Sequence, residues 1–109
     1  MDKKTIFILE DDQSFAIIFK RWLEDEGYRV IVAENVEKAK KILEKEHPVL
    51  FWLDYYLKGD LNGVDLMQRI HDHASWFKIP VVIVSNTATK KKVDQMLDLG
   101  AIKYFLKAE

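Results

Sequence analysis

Acidic side chains follow two apolar runs of this 109-residue sequence, each at the point where the run stops. Glu10 and Asp11 come directly after the run Thr5–Leu9, and Asp54 follows the run Val49–Leu53. Carboxylate oxygens that stay open to water suit Mg²⁺, which retains several waters when it binds to proteins. A carboxylate beside such a metal is also able to attack phosphorus and form an aspartyl phosphate.

Two further side chains follow later apolar runs and supply what phosphoryl chemistry also needs. Ser85 ends the run that begins at Val81, and Lys107 follows the run that ends at Leu106. A hydroxyl donor and a fixed cation both stabilise the oxygens of a phosphoryl group during its transfer. Taken alone, Asp54 is more simply an ordinary turn aspartate, because Gly, Asp and Asn follow it in a typical turn composition. Only a fold that brings these residues together makes it a candidate for chemistry.

Apolar patterning predicts five strands that alternate with four helices. Unbroken apolar runs with β-branched and aromatic residues predict buried strands, at positions 5–9, 28–33, 49–53, 81–84 and 101–106. Apolar residues repeated every three or four positions predict helices, from Ser14 to Gly27, from Asn35 to His47, from Gly63 to about His73 and from about Thr89 to Leu99.

This alternation predicts an α/β fold, a flavodoxin-like doubly wound five-stranded parallel sheet with strand order 2-1-3-4-5. Strands 1 and 3 then flank a switch point, and the crevice at their carboxyl ends is where such sheets bind ligands. Glu10, Asp11 and Asp54 fall at that crevice, where their like charges repel unless a cation lies between them. Asp12, a third acid, is predicted to cap the first helix rather than to bind metal.

Composition excludes several classes of protein. Apolar residues make up 49% and charged residues 32% of the sequence, which predicts one soluble globular domain over 1–109. The net charge of −1 argues against nucleic-acid or membrane binding, since both need a basic excess. The sequence has no cysteine, which excludes disulfides and Cys-ligated metals. With no predicted signal peptide or membrane span, we expect a cytoplasmic protein.

The residues quoted above, in this order on these elements, resemble the response-regulator receiver domains of two-component signalling. The resemblance covers essentially every residue of the chain. It implies that Asp54 is the phosphoacceptor and that Glu10 and Asp11 hold Mg²⁺ directly or through water. It also implies that the backbone carbonyl of Tyr56 contributes to the metal site. The expected donor is a partner histidine kinase or a His-containing phosphotransfer protein that presents phosphohistidine.

The same resemblance assigns roles to residues on the later elements. Ser85 corresponds to the Ser/Thr switch, Tyr104 to the aromatic switch, and Lys107 to the lysine of the family. Gly63 corresponds to the turn glycine that opens the third helix. The resemblance implies that Ser85 and Tyr104 move inward on phosphorylation and reshape the surface of helix 4 and strand 5, where a downstream protein partner binds. Such a domain is not a turnover enzyme on an external substrate.

The chain departs from the family pattern in the loops around the site. Ala108 follows Lys107 where the family often has a cis proline. A cis bond before alanine costs about 3 kcal/mol, so we expect a trans path that could displace the lysine. The turn over positions 58–62 is one residue longer than usual and lacks the family's frequent proline, and Asn86 stands where a small residue is commoner. Both features affect access to Asp54.

By this resemblance, the sequence also stops where the family's fifth helix begins, so the domain is predicted to be short at its C-terminus. Helices 1 and 5 cover the same face of a doubly wound sheet. We therefore expect bare apolar surface on strands 1, 3, 4 and 5. A tendency to form a homodimer, or to exchange elements between copies, is the predicted consequence.

Most other conspicuous residues favour structural roles. Aromatic side chains at apolar positions are predicted to form the core, namely Phe7, Phe15, Phe19, Trp22, Phe51 and Trp52. His71 and His73 lie two positions apart on a helix, so they point to different sides and are not predicted to form a metal pair. Lys90–Lys92 is predicted to be a solvated helix face. Tyr55 and Tyr56 either shield the site or pack the loop.

Two alternative functions stay open. The first is a degenerate receiver, which would bind its partner without phosphorylation, and the departures after Lys107 favour it. The second is a hydrolase of the haloacid-dehalogenase type with an aspartyl-phosphate intermediate. Such enzymes have a second acid two residues after the nucleophile, whereas this chain has Tyr56 at that position. A flavin-binding protein is disfavoured because the first strand ends in acids rather than in a phosphate-binding loop.

Overall fold

Helices and strands alternate along the chain in this computed structural model, which describes residues 3–55, 63–86 and 89–107. Five parallel strands form one sheet: β1 (Thr5–Leu9), β2 (Arg29–Ala33), β3 (Leu50–Asp54), β4 (Val81–Ser85) and β5 (Lys103–Leu106). The connecting helices are α1 (Gln13–Asp25), α2 (Val36–Leu43), α3 (Gly63–Asp72) and α4 (Lys90–Asp98). Within these ranges, every helix is too short or too polar to cross a bilayer.

The strand order is β2-β1-β3-β4-β5, which confirms the order predicted from the sequence. β1 lies between β2 and β3, and the register pairs Leu9 with Leu53. Glu10 and Asp54 come directly after these paired residues, so both reach the carboxyl edge of the sheet at the same level. The switch point between β1 and β3 therefore brings together residues that are far apart in the sequence.

The larger hydrophobic cluster lies between one face of the sheet and helices α2, α3 and α4. On the two central strands its members alternate, with Phe7 and Leu9 on β1 and Phe51 and Leu53 on β3. The helices contribute apolar residues at helical spacing: Val36, Ala39, Leu43, Leu66, Met67, Ile70 and Met96. The strict alternation sends the intervening strand residues to the other face.

That other face is covered by α1. Phe19 and Leu23 pack there against a smaller cluster that includes Ile6 and Ile8. The helical spacing predicts that Ile18 and Trp22 also lie on the inner face of α1, but this is wrong, because each residue is 59% exposed. One helix shields only a narrow stripe of a sheet. The helical spacing likewise predicts that Leu97 of α4 faces inward, but it is 42% exposed.

The expectation of bare strands on this face is wrong for β1 and β4. Ile6 and Ile8 are buried where Phe19 and Leu23 of α1 pack against them, and Val82 and Val84 are at most 9% exposed. The exposed apolar surface lies instead in two places, the edge strand β5 and the outer side of α1. Phe105 and Leu106 are exposed on β5, and Ile102 is exposed just before it.

The helix boundaries are fixed by local hydrogen bonds. Asp12 caps α1 as predicted, since its carboxylate accepts hydrogen bonds from the backbone N–H groups of Ser14 at 2.9 Å and Phe15 at 3.3 Å. Asn35 caps α2 in the same way. Gly27 follows α1 with φ of 97°, the left-handed conformation that ends helices and favours glycine.

Gly63 opens α3 directly against the backbone of Asp54. A Cβ atom at position 63 would lie 2.1 Å from the Asp54 carbonyl oxygen, far inside van der Waals contact. The Gly63 N–H donates a hydrogen bond to the carbonyl of Tyr55 at 3.2 Å. Glycine is therefore required here because of close backbone approach, and this approach ties α3 to the end of β3.

We expect Gly63→Ala to lower the free energy of unfolding by about 2 kcal/mol, because the added methyl group forces α3 away from β3. Urea unfolding measures the loss, and the amide chemical shift of Asp54 reports the displacement. Gly27→Ala is the matched control: it strains a left-handed residue, at a cost of about 1 kcal/mol, in a place where a Cβ meets nothing within 4 Å. An unchanged Asp54 amide in Gly63→Ala would contradict the predicted displacement.

Candidate functional site

Three carboxylates meet at the carboxyl edge of the sheet. Glu10 and Asp11 leave β1, and Asp54 is the last residue of β3. One carboxylate oxygen from each residue lies within 4.8 Å of the others. Glu10 and Asp54 are buried, whereas Asp11 is half-buried. The cluster predicted from the strand ends is therefore present, with two acids inside the protein and one toward solvent.

Lys107 joins this cluster from the end of β5. Its ammonium lies 2.7 Å from Oε1 of Glu10 and 3.0 Å from Oδ2 of Asp54, and its side chain is only 3% exposed. The Lys107 N–H donates a hydrogen bond to the carbonyl of Ser85 at 2.8 Å, which fixes the chain beyond the strand. The displacement expected from the following alanine is not found. Ala108 itself lies outside the described residues.

Burial and charge raise the pKa of Asp54 from its usual 3.8 to about 7. Loss of hydration is the main cause, and the nearby Glu10 carboxylate raises the pKa further, while Lys107 lowers it. Burial by itself lowers the pKa of Lys107, but hydrogen bonds and attraction from Glu10 and Asp54 outweigh burial and raise it. Lys107 therefore stays charged, and two acids share one fixed cation.

The donor set fits a divalent cation. Three carboxylates at this spacing offer only oxygen ligands, which is what hard divalent ions prefer. Within the described residues, the Lys107 ammonium pairs with Glu10 and Asp54, and a divalent ion would offset further repulsion among the three acids. Glu10, Asp11 and Asp54 are the residues that would hold it. Tyr56, whose carbonyl was predicted to contribute, lies outside the described residues.

The remaining predicted residues lie on the two strands next to β3. Ser85 is fully buried at the end of β4, one residue after Val84, which pairs with Asp54. Tyr104 is half-buried on β5, and its ring lies 6.4 Å from that of Tyr55. The structure thus places Ser85 at the crevice, and it places Tyr104 on the sheet face that also carries Tyr55.

Tyr55, which was predicted either to shield the site or to pack the loop, packs against the fold. Its side chain is buried, and its hydroxyl donates a hydrogen bond to Oε1 of Gln95 on α4 at 2.9 Å. The residue after Asp54 is thereby connected to the helix across the loop. Tyr56, the other member of the pair, lies outside the described residues.

The contact of Phe15 with Lys107 was not predicted from the sequence. Phe15 was predicted to belong to the core, but its ring lies over the Lys107 ammonium, 4.8 Å from nitrogen to ring centroid. The only signal in the sequence is position: Phe15 lies in the first turn of α1, directly after the acidic turn. Phe15 and Lys107 are 92 positions apart in the sequence. Their contact therefore depends on strand order and helix direction.

A family model for the response regulator receiver domain matches residues 6–109. The alginate biosynthesis transcriptional regulatory protein AlgB of Pseudomonas aeruginosa is 31% identical over 102 residues, which cover 94% of this chain and 22% of AlgB. The phosphate regulon transcriptional regulatory protein PhoB of the same species is 29% identical over 104 residues, with coverage of 95% and 45%. The chain thus spans less than half the length of these curated relatives.

Solved structures of similar domains have the same fold. The receiver domain of a DNA-binding response regulator from Colwellia psychrerythraea is 27% identical with a TM-score of 0.89, over 96% of this chain and 86% of that one. A response regulator from Burkholderia pseudomallei, solved with a phosphorylated aspartic acid, a calcium ion and citrate, is 25% identical with a TM-score of 0.87. That comparison covers 97% of this chain and 61% of the other.

We expect the metal-free protein to become less stable as pH rises from about 5 to about 8, by about 2 kcal/mol. The folded state retains a proton on Asp54 up to a pKa of about 7, whereas the unfolded chain loses it near 3.8. This contribution is complete below the unfolded pKa and is lost as pH passes through the folded pKa. Urea unfolding in EDTA at a series of pH values measures it.

Asp54→Asn is the control for this pH dependence, because an amide has no proton to lose in this range. The variant should unfold at nearly the same urea concentration across the series and should exceed the wild type in stability at the alkaline end. A wild-type stability that stays constant or rises between these pH values would show that Asp54 is ionised throughout.

Proposed function

The chain belongs to the response regulator receiver domain family, and we propose that it is a phosphorylation-switched signalling module in which Asp54 is the phosphoacceptor. One observation carries the proposal: Asp54 is buried at the end of β3, with Lys107 at 3.0 Å and the acids Glu10 and Asp11 beside it. A nucleophile for phosphorus, a fixed cation and a cation-binding pair thus occupy one crevice.

In the proposed reaction, the donor is the phosphohistidine of a histidine kinase or of a His-containing phosphotransfer protein. A bond forms between an Asp54 carboxylate oxygen and phosphorus, and the phosphorus–nitrogen bond of the donor breaks. The electron pair leaves with the imidazole, which takes up a proton from solvent. Lys107 is positioned to neutralise oxygen charge on the transferred group. The domain catalyses its own modification and does not turn over an external substrate.

The charges of the site explain why a metal should be needed. Without one, the pKa of Asp54 is about 7, so a large fraction of the nucleophile is protonated near neutrality. Mg²⁺ held by Glu10, Asp11 and Asp54 would supply positive charge that favours the ionised carboxylate and offsets the charge of the phosphoryl group. We propose Mg²⁺ because the site has few carboxylate ligands and Asp11 is only half-buried. Both features leave room for the waters that Mg²⁺ retains.

We propose that Ser85 and Tyr104 transmit the modified state to a partner protein. Ser85 lies at the crevice, where its hydroxyl is suited to donate to a phosphoryl oxygen. Tyr104 lies on β5 beside Tyr55, near the surface formed by α4 and β5. A change of hydrogen bonding at Ser85 would shift the balance between two positions of this surface.

The proposal is tested by incubation with acetyl phosphate, with and without Mg²⁺, followed by measurement of the intact mass. We expect one phosphoryl adduct that needs Mg²⁺ and that is absent from Asp54→Asn. Asp11→Asn should lower the adduct yield at limiting Mg²⁺ and should recover when Mg²⁺ is raised, because it removes one ligand and leaves the nucleophile.

Asp65→Asn is the matched control, since it removes a carboxylate of α3 that is half-buried like Asp11 but lies outside the cluster, and it should label like the wild type. If the wild type takes no adduct under any of these conditions, Asp54 is not a phosphoacceptor in this chain. The degenerate receiver, which binds a partner without phosphorylation, would then be the better proposal. An adduct that persists in Asp54→Asn would place the chemistry on another residue.

Pairing of two copies of the chain is the remaining proposal about partners. An apolar groove of about 440 Å³ lies between α1 and β5, and we call it the α1–β5 groove. Its lining residues are Phe19, Trp22, Leu23, Trp52, Val84, Phe105, Leu106 and Lys107. Because Trp22 and Phe105 are about half exposed there, we propose that two copies pair across this groove.

We expect the mass measured by light scattering to rise from 12.8 kDa toward twice that value as protein concentration rises. Trp22→Lys should keep the protein monomeric, because a charged side chain would have to be buried in the groove. Ile102→Lys is the matched control, since Ile102 is equally exposed and apolar but does not line the groove. A monomer at every wild-type concentration would exclude the pairing.

A further inference from the structure

We propose that Phe15 is a positioning residue of this site, which holds the Lys107 ammonium toward Glu10 and Asp54 through a cation–π contact. The inference rests on the proposed function and adds a residue to it. The ammonium lies 4.8 Å from the centroid of the Phe15 ring, within the distance at which aromatic rings attract cations. The ammonium thus has two carboxylates and one aromatic ring as neighbours, and the side chain that carries it is only 3% exposed.

Burial distinguishes this contact from the other cation–π contacts of the described residues. Lys78, Lys92 and Lys103 also lie near aromatic rings, at 5.6, 5.6 and 5.7 Å. Each of these distances is longer than the one to Phe15. The Lys107 side chain is only 3% exposed, and a desolvated cation gains more from a ring than a hydrated one does. The contact therefore has more effect at Lys107 than at the surface lysines.

Phe15 is itself held on two sides. Its backbone N–H donates to the Asp12 cap at 3.3 Å, which fixes the first turn of α1. Its ring stacks on Phe19 with centroids 5.6 Å apart, and Phe19 packs on Trp52 at 4.9 Å. Trp52 lies two residues before Asp54 and so shares its face of β3. The aromatic series Phe15, Phe19 and Trp52 thus connects the ring over Lys107 to the strand that carries the nucleophile.

The need for such a residue follows from the flexibility of lysine. Its side chain has four rotatable bonds and a point charge without preferred direction. When a phosphoryl group replaces one acid as its partner, the ammonium must stay in place while the charges around it change. A ring in contact with the ammonium restricts its positions and excludes water, so that Lys107 stays directed at the reacting oxygens.

The test compares Phe15→Leu with Phe15→Tyr and Phe15→Trp. Leucine retains an apolar side chain without a ring, whereas tyrosine and tryptophan retain an aromatic face. With acetyl phosphate and saturating Mg²⁺, we expect Phe15→Leu to lower the rate of Asp54 labelling about tenfold, and the two aromatic variants to stay within about threefold of the wild type. Phe77→Leu, a loss of an exposed ring away from the site, should label at the wild-type rate.

A spectroscopic measurement tests the geometry independently of activity. Protons above an aromatic face are shifted upfield, so the Lys107 side-chain protons should show this shift in the wild type and in Phe15→Tyr. The shift should vanish in Phe15→Leu, at a pH where all variants are shown to be folded by thermal unfolding. If the wild type shows the shift but takes no label, the positioning role is retained and the proposed phosphorylation fails.

Other results would overturn the role of Phe15. Equal labelling rates in Phe15→Leu and the wild type would show that the ring does not position Lys107. Loss of labelling in Phe15→Tyr and Phe15→Trp as well as in Phe15→Leu would show that shape, not the aromatic face, is needed. The absence of any upfield shift in the folded wild type would show that the ammonium does not lie over the ring.

Discussion

A buried ammonium between two buried carboxylates is the interaction on which the rest of this site depends. Lys107 lies within 3.0 Å of both Glu10 and Asp54, and all three side chains are at most 5% exposed. Charges at this depth are tolerated only when they are paired. Burial and the nearby Glu10 carboxylate raise the pKa of Asp54 although Lys107 lowers it, and such a site suits a further cation.

The sheet makes this arrangement possible because its strands run parallel. The acids, Ser85 and Lys107 all lie at strand ends on the same edge of the sheet, so the register of the strands sets the distances within the site. Glu10 and Asp54 follow the paired residues of β1 and β3, and Lys107 is held by a backbone hydrogen bond to Ser85. The close approach of Gly63 to Asp54 then brings α3 against the same edge. Contacts between separate elements thus meet at Asp54 and at Lys107.

Aromatic residues connect this edge to both layers of helices. On the α1 face, Phe15 covers Lys107 and reaches Trp52 through Phe19. On the other face, Tyr55 lies beside Tyr104 and bonds to α4. Alternation along β3 assigns Trp52 and Asp54 to one face and Tyr55 to the other. Asp54 therefore lies next to both layers of helices, and so does any change of its charge. On the Asp54 face of the sheet, α1 covers only a narrow stripe.

The sequence by itself determined the alternation of strands and helices, the strand order and the acids at the strand ends, because each depends on a local pattern or a general rule of topology. Asp12 as a helix cap was also predictable, since capping involves only the next few residues. The tertiary structure alone decided which apolar residues are covered: Trp22 has the right helical spacing, yet it is 59% exposed. It also decided that Phe15 meets Lys107. Sequence patterns show which face a residue occupies, but contacts between distant elements depend on how those faces pack.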